Sequence, residues 1–183
     1  MADIHYLDDP LETEDLLELL CPPVRNWFKD KFPDFTEPQK LAIPAIMDQE
    51  HLLLCSPTGS GKTLTAFLTI IDQLVRRALD NKLDKRVYCV YISPIKALAN
   101  DIQRNLIGPL TEISETYLPS RAQEIRVGLR TGDTPQSERQ KMLRNPPHIL
   151  ITTPESLAIA ITSPRFQPIV SEVEYMIVDE LHS

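Results

Sequence analysis

A glycine-containing turn between a short apolar run and a long amphipathic segment restricts the fold of this chain more than any other feature. The apolar run covers residues 51–55, and the amphipathic segment covers residues 62–79 with apolar side chains at helical spacing. The turn between them reads Ser56-Pro57-Thr58-Gly59-Ser60-Gly61-Lys62-Thr63. A strand, a glycine turn and a helix in this order form the context that a phosphate-binding loop requires. The segment therefore predicts such a loop.

The residue types in this turn suit a nucleotide bound with a magnesium ion. Gly59 and Gly61 would let backbone N–H groups approach phosphate oxygens, and the helix N-terminus that follows favours an anion. Lys62 is predicted to reach the β- and γ-phosphates, and the Thr63 hydroxyl is predicted to hold Mg²⁺. The predicted nucleotide-binding residues of the turn are Thr58, Gly59, Ser60, Gly61, Lys62, Thr63 and Leu64. The strict pattern has glycine where this chain has Ser56, so an ordinary Gly-Ser turn before a helix is the alternative.

Short apolar runs alternate with helical segments along the rest of the chain. After the strand at 51–55, further strands are predicted at residues 86–92, 125–129, 148–152 and 175–178. The alternation predicts an α/β fold, with a mostly parallel sheet covered by helices on both faces. Because ligands of such sheets bind at the carboxyl ends of the strands, the loops after the strands are the expected site.

The first part of the chain reads as helical rather than as part of this alternation. Residues 12–29 carry a helical stripe that breaks at Pro22 and Pro23. We assign residues 1–34 to an N-terminal helical extension and residues 35–183 to the main domain.

Two acids follow the last predicted strand. Asp179 is predicted to hold Mg²⁺ through water, and Glu180 to orient or deprotonate the attacking water. An exposed acid pair at a strand end is the alternative. The catalytic interpretation is favoured because the predicted phosphate loop precedes the pair in the expected strand order. His182 would transmit changes between the nucleotide site and the site that binds the nucleic-acid strand, or it would be a hydrogen-bonded structural residue.

Composition excludes several classes of protein. The net charge of −7 argues against a nucleic-acid binder that uses its whole surface, although a local basic groove stays open. The three cysteines are scattered, so disulfide and zinc interpretations are weak. No apolar run approaches the roughly 20 residues that span a bilayer, and the acidic N-terminus has no secretory pattern. We therefore expect a cytoplasmic protein without a membrane segment.

The phosphate loop and the DELH run together resemble superfamily 2 helicases of the DExH type. Three further stretches are especially similar to the large helicase-related (Lhr) family: SPIKALAND at residues 93–101, RTGDT at residues 130–134 and TTPESL at residues 152–157. The resemblance covers residues from about Phe35 to His182 and implies the first RecA-like, ATP-binding domain of a motor.

The same resemblance implies further binding residues. Gln39, in the stretch FTEPQ, would read the adenine edge; a polar residue at a helix start is the alternative. The residues that would contact the nucleic-acid backbone are Ser93, Pro94, Lys96, Arg130, Gly132, Asp133, Thr153, Pro154 and Glu155. Such contacts position a backbone and carry no base sequence. The start of TTPESL is also an ordinary helix start, so a solvated helix cap is the alternative there.

The expected function is ATP-dependent movement along single-stranded DNA or RNA. A motor of this type needs a second RecA-like domain, which we expect to be absent from these 183 residues. This chain alone is then expected to bind ATP and to hydrolyse it very slowly. The Lhr resemblance implies 3′-to-5′ movement on single-stranded DNA and a role in repair. A nucleotide-binding regulatory module without strand binding, or a scaffold, are the alternatives.

Overall fold

The sheet of this protein is parallel throughout and places its carboxyl ends along one edge. The computed structural model describes residues 4–57, 61–94 and 101–180. Within these ranges the strands are β1 (Cys89–Ile92), β2 (Val127–Arg130), β3 (Ile149–Thr152) and β4 (Tyr175–Val178). They are arranged in the order β2-β3-β1-β4, and each neighbouring pair is parallel. The predicted α/β class is confirmed.

Helices precede, connect and cover these strands. They are α1 (Thr13–Leu19), α2 (Pro22–Lys31), α3 (Glu37–Met47), α4 (Lys62–Leu79), α5 (Gly108–Thr116), α6 (Gln136–Arg144), α7 (Pro154–Ile161) and α8 (Gln167–Val170). No helix in the described ranges is both long enough and apolar enough to cross a membrane.

Helices cover both faces of the sheet, because alternate side chains of a strand point to opposite faces. On one face, Cys89 and Tyr91 of β1 join the larger apolar core with helices α1 to α5. On the other face, Val90 and Ile92 join a smaller core with α7 and α8. The two-layer covering predicted from the alternating pattern is therefore present.

Helix α4 is the main support of the larger core. Its apolar side chains recur every three or four residues, so they form one continuous stripe. Phe67, Leu68, Ile71, Leu74 and Val75 on this stripe are at most 2% exposed. The helix ends at Leu79, and Asn81 just beyond it has a positive φ of 56°. Both ends of this helix agree with the sequence prediction.

A buried carboxylate on α4 holds the N-terminal helices in place. Asp72 is fully buried, and its Oδ1 accepts a hydrogen bond of 2.6 Å from the backbone N–H of Cys21, the residue that precedes α2. Its Oδ2 lies 2.7 Å from Nε of Arg76, and that guanidinium donates to the Leu19 carbonyl at 2.6 Å. One acid therefore fixes the junction between α1 and α2. The boundary after residue 34 stays a prediction, although α1 and α2 share the larger core with α4.

A π-helical turn at Gln103–Ile107 directly precedes α5. Pro109 has no N–H group and cannot continue the regular hydrogen-bond ladder. The N–H of Gly108 instead donates to the carbonyl of Gln103, five residues earlier. The wider turn accommodates the proline without ending the helix.

The prediction of a strand at residues 51–55 is wrong for this structure. Residues 51–57 have no regular secondary structure, and Leu53 is 72% exposed. An apolar composition favours a strand, but a strand also needs a neighbour that satisfies its backbone N–H and C=O groups. In the described sheet, β4 is bonded to β1, and no described strand is bonded to residues 51–57.

Thiol labelling tests this correction. Cys55 is exposed, whereas Cys21 and Cys89 are buried. Burial, with Asp72 nearby, raises the pKa of Cys21 to about 12, and burial also raises the pKa of Cys89. Because the thiolate is the reactive form, we expect a maleimide to label Cys55 rapidly in the native chain and the other two only after unfolding. Slow labelling of Cys55 at the rate of Cys89 would show that residues 51–55 are buried.

Replacing Asp72 tests the clamp on the N-terminal helices. Asp72→Ala leaves the Cys21 N–H without its acceptor, so we expect a loss of about 3 kcal/mol in the free energy of unfolding, measured with urea. Asp80→Ala is the matched control, because Asp80 pairs with Lys82 at 2.9 Å on the surface, with side chains 60% and 71% exposed. That variant should change stability by less than about 1 kcal/mol. Equal losses would contradict the clamp.

Candidate nucleotide site

The start of α4 has the geometry of an anion site. Gly61 is its N-cap and has a φ of 85°, a conformation that glycine adopts without a steric penalty. The N–H groups at the start of a helix have no intrahelical acceptor, so those of Lys62, Thr63 and Leu64 suit an anion. The side chain of Leu64 lies in the core, which leaves its backbone N–H as the binding group. The ammonium group of Lys62 donates to the Ser56 carbonyl within the same loop.

Gln39 lies against this loop. It is 3% exposed, and its Oε1 accepts a hydrogen bond of 2.9 Å from the Thr36 backbone N–H in a capping box at the start of α3. Its Nε2 is near Gly61, where an added Cβ would be 3.0 Å from it. The structure therefore contains the helix-start role that was the alternative for Gln39, and it also places the amide beside Gly61 of the predicted phosphate loop. Adenine recognition by Gln39 stays a prediction.

Asp179 follows β4 and is held at three atoms. Its N–H donates to the Ile92 carbonyl at 2.9 Å, which extends the ladder between β1 and β4. Its Oδ1 accepts a 2.9 Å hydrogen bond from the Glu180 N–H, and its Oδ2 accepts a 2.6 Å hydrogen bond from the Tyr91 hydroxyl. Glu180 has a positive φ of 56°, which is uncommon for a residue with a side chain. The chain thus turns sharply where the acid pair lies.

The phenol of Tyr91 joins this acid to helix α4. Its ring packs on the ring of Phe67 with centroids 4.9 Å apart. Phe67 lies four residues after Thr63, so the two share one face of α4 a single turn apart. Burial, together with the bond to Asp179, raises the pKa of the Tyr91 hydroxyl, which therefore stays a donor.

The residues present fit a magnesium ion bound together with a nucleotide. Thr63 and Asp179 offer a hydroxyl and a carboxylate, the oxygen ligands that Mg²⁺ prefers. No group of three or more His, Cys, Asp or Glu side chains within the described ranges could hold a metal by itself. A cation at this site would therefore need phosphate and water oxygens as well, as Mg²⁺ sites on nucleotides usually have.

Arg130 is less accessible than its predicted role suggests. It is 7% exposed, and its guanidinium lies 4.1 Å from the centroid of the Phe166 ring. Burial and the nearby charge of Arg139 lower the pKa of Arg130. The next loop is ordered by Arg139, whose Nη2 donates to the Gly132 carbonyl at 2.8 Å. Gly132 and Asp133 at its tip are exposed, so they are the reachable part of this predicted contact.

The other residues predicted to contact nucleic acid lie at the same edge of the sheet. Ser93 follows β1 and is 1% exposed, and its N–H donates to the Thr152 carbonyl at 3.2 Å; the half-buried Pro94 comes next. Thr153 caps α7, because its Oγ1 accepts a 3.3 Å hydrogen bond from the Ser156 N–H. The helix-cap alternative for this stretch is therefore present in the structure, and Pro154 and Glu155 are exposed on it.

Five predicted site residues lie outside the described ranges: Thr58, Gly59, Ser60, Lys96 and His182.

Comparison with known proteins identifies the family. The sequence profile of DEAD/DEAH box helicases matches residues 36–183, which is most of the chain. This chain belongs to the DEAD/DEAH box helicase family. Within that family, the Lhr similarity predicted from three short motifs is confirmed by the relatives.

Archaeal and bacterial Lhr proteins are similar to this helicase domain over nearly its whole length. The ATP-dependent helicase Lhr-Core of Methanocaldococcus jannaschii is 50% identical over 185 residues, which cover 100% of this chain and 22% of that protein. The Lhr helicase/uracil glycosylase of Escherichia coli is 44% identical and covers 96% of this chain, which spans 12% of it. The chain thus spans less than a quarter of the length of each of these two relatives.

Solved helicase structures share the fold. The structure of Mycobacterium smegmatis helicase Lhr bound to ssDNA and AMP-PNP superposes with a TM-score of 0.77 at 42% identity, covering 91% of this chain and 21% of that one. The yeast DEAD-box splicing factor Prp28 gives a TM-score of 0.74 at 22% identity, over 96% of this chain and 40% of that one. The second likeness concerns the fold alone, which is RecA-like as the resemblance implied.

The contacts that order this helicase site were not visible as motifs. Tyr91 stands within an apolar strand, where its ring reads as core and its hydroxyl has no partner in the local sequence. The one available signal is a tyrosine within a strand that is buried on both faces, because a buried tyrosine hydroxyl usually has a hydrogen-bond partner. The contact of Gln39 with Gly61 joins residues distant in sequence and follows from the packing of α3 on α4.

Two glycine variants test the loop geometry of this helicase domain. Gly61→Ala places a Cβ in a positive-φ conformation and 3.0 Å from Gln39 Nε2, so we expect a loss of about 1–2 kcal/mol in the free energy of unfolding. Gly132→Ala is the matched control, because its Cβ would meet no described atom within 4 Å. Urea unfolding should show no loss for the control. Equal stability of the two variants would contradict the described conformation of Gly61.

Proposed function

We propose that this chain is the ATP-binding part of an ATP-dependent motor that moves along single-stranded nucleic acid. One observation carries the proposal. Helix α4, which begins with Gly61 and Lys62, is connected to the acid pair after β4. The ring of Phe67 on α4 packs on the ring of Tyr91, and the Tyr91 hydroxyl donates to Asp179. This connection supports the proposal, because a nucleotide-hydrolysing site requires its phosphate-binding residues and its metal-binding carboxylate in one structural unit.

In the proposed site each residue has one task. Lys62 and the N–H groups at the start of α4 hold the β- and γ-phosphates. Thr63 and Asp179 hold the magnesium ion, which neutralises charge on the phosphate oxygens when it is bound. Glu180 follows Asp179 and orients the attacking water or accepts its proton. His182 would relay between this site and the strand site.

The proposed nucleic-acid contacts lie in loops after the strands. The described ones are Ser93, Pro94, Arg130, Gly132, Asp133, Thr153, Pro154 and Glu155, and Lys96 belongs to the same group. Gly132, Asp133 and Glu155 are exposed in a loop and at a helix start, where backbone N–H groups suit contact with a nucleic-acid backbone rather than with bases. The Mycobacterium smegmatis Lhr structure contains ssDNA, and by similarity we propose single-stranded DNA or RNA as the partner here.

A second RecA-like domain is the other proposed partner. The relatives are several times longer than this chain, which leaves room for such a domain in them. In related phosphoryl-transfer enzymes an arginine finger contributes about 10³ to 10⁵ in rate. If the second domain supplies that arginine, the chain by itself binds Mg-ATP and hydrolyses it at a very low rate. The division at residue 34 and a cytoplasmic location belong to the same proposal.

Thermal stabilisation by Mg-ATP tests this function. A ligand at 100 times its Kd adds about 2.7 kcal/mol to the stability of the folded state, which is roughly 5–10 °C in Tm for a chain of this size. We expect that shift in the parent and its loss in Lys62→Ala. Lys82→Ala is the control, because Lys82 lies beyond the other end of α4 and is 71% exposed. It should keep the full shift.

A shift that survives in Lys62→Ala would place the nucleotide elsewhere and contradict the proposed site. Absence of any shift in the parent would contradict nucleotide binding by this chain and favour a scaffold. If Mg-ATP binds but fluorescence anisotropy detects no single-stranded DNA or RNA binding with AMP-PNP present, the chain is a nucleotide-binding regulatory module.

A further inference from the structure

We infer that Tyr91 is a positioning residue for the magnesium site, which acts by fixing the carboxylate of Asp179 through its hydroxyl group. The inference rests on the proposed function of Asp179 and extends it to a residue that neither motif contains. Tyr91 touches neither nucleotide nor metal in this scheme, and its effect passes through Asp179.

Among the residues that the structure describes, the carboxylate of Asp179 has one donor on each oxygen. The Tyr91 hydroxyl donates to Oδ2 at 2.6 Å, and the Glu180 N–H donates to Oδ1 at 2.9 Å. A carboxylate has about four lone-pair positions, so two remain for a cation or for its bound water. Two donors on opposite oxygens also fix the rotation of the carboxylate plane, which one donor would leave free.

Tyr91 is itself immobile enough to act as a fixed donor. It is 2% exposed and belongs to β1, which is bonded to β3 on one side and to β4 on the other. Its ring packs on Phe67 at 4.9 Å between centroids. The hydroxyl position is therefore set by the sheet and by helix α4 together, and not by the loop that carries Asp179.

This geometry matters for magnesium in particular. Mg²⁺ requires a near-ideal octahedral arrangement and tolerates displaced ligands poorly. Tyr91 contacts Phe67, which lies one turn from the proposed ligand Thr63 on α4. It also donates to Asp179, the other proposed ligand. The phenol thereby sets the position of Asp179 relative to α4. Removal of an outer partner of this kind typically weakens metal binding about 10- to 100-fold.

A neighbouring tyrosine allows a purely structural role to be separated. Tyr88 is also 2% exposed, and its hydroxyl accepts a 2.8 Å hydrogen bond from the Asp84 N–H. It lies just before β1, at the end of the strand opposite to Asp179. Tyr88→Phe and Tyr91→Phe each remove one buried hydroxyl and keep the ring, so they match in the packing that they disturb.

The experiment measures the affinity of a fluorescent ATP analogue with saturating Mg²⁺ and with EDTA in the parent and both variants. The Kd in EDTA divided by the Kd with Mg²⁺ reports how much the metal strengthens nucleotide binding. We expect Tyr91→Phe to reduce this ratio about 10-fold while its Kd in EDTA stays at the parent value. Tyr88→Phe should keep the parental ratio. In an Asp179→Ala background, Tyr91→Phe should cause no further reduction.

The other results overturn the inference in distinguishable ways. A parental ratio in Tyr91→Phe, or a reduction that persists in the Asp179→Ala background, would show that Tyr91 does not act through Asp179. An equal loss of affinity with and without Mg²⁺ would assign Tyr91 to the packing of α4 alone. If the parent itself shows no metal enhancement, the proposed magnesium site fails and the inference fails with it.

Discussion

The packing of helix α4 against strand β1 is the interaction on which the rest of this structure depends. The apolar stripe of α4 fills the larger core, and its Phe67 contacts Tyr91 on the strand. The helix begins at the predicted phosphate loop, and its middle carries the buried Asp72 that holds the N-terminal helices. Because one rigid element makes all these contacts, the position of the start of α4 relative to the sheet is determined by core packing.

The candidate site follows from that constraint. A parallel sheet collects the carboxyl ends of its strands at one edge, so Ser93, Arg130, Thr153 and Asp179 come to the same side from distant parts of the sequence. Helix α4 brings its N-terminus to the sheet, and Tyr91 connects the two. The family fold therefore supplies the arrangement, whereas the chemistry depends on which side chains stand at those positions.

The parts of the fold that are local in sequence were predictable. The bounds of α4 and β4 follow from periodicity and from turn residues that act over a few positions. The parts that depend on distant partners were not. Residues 51–55 have the composition of a strand, but no described strand is bonded to them. Arg130 is buried against Phe166. Asp72 has the spacing of an ordinary helix residue, and its hydrogen bond with the distant Cys21 is not visible in the local sequence. Tyr91 belongs to this second group, since Asp179 is its partner.

A crystal structure of this chain with Mn²⁺ and AMP-PNP would show whether the start of α4 and Asp179 form one nucleotide site, because Mn²⁺ is located by its anomalous scattering. The proposed site predicts one Mn²⁺ peak between the Thr63 hydroxyl and the Asp179 carboxylate, bound directly or through one water. It also predicts that the Lys62 ammonium leaves the Ser56 carbonyl for a phosphate oxygen. A nucleotide bound away from the start of α4, or a metal peak with no link to Asp179, would contradict it.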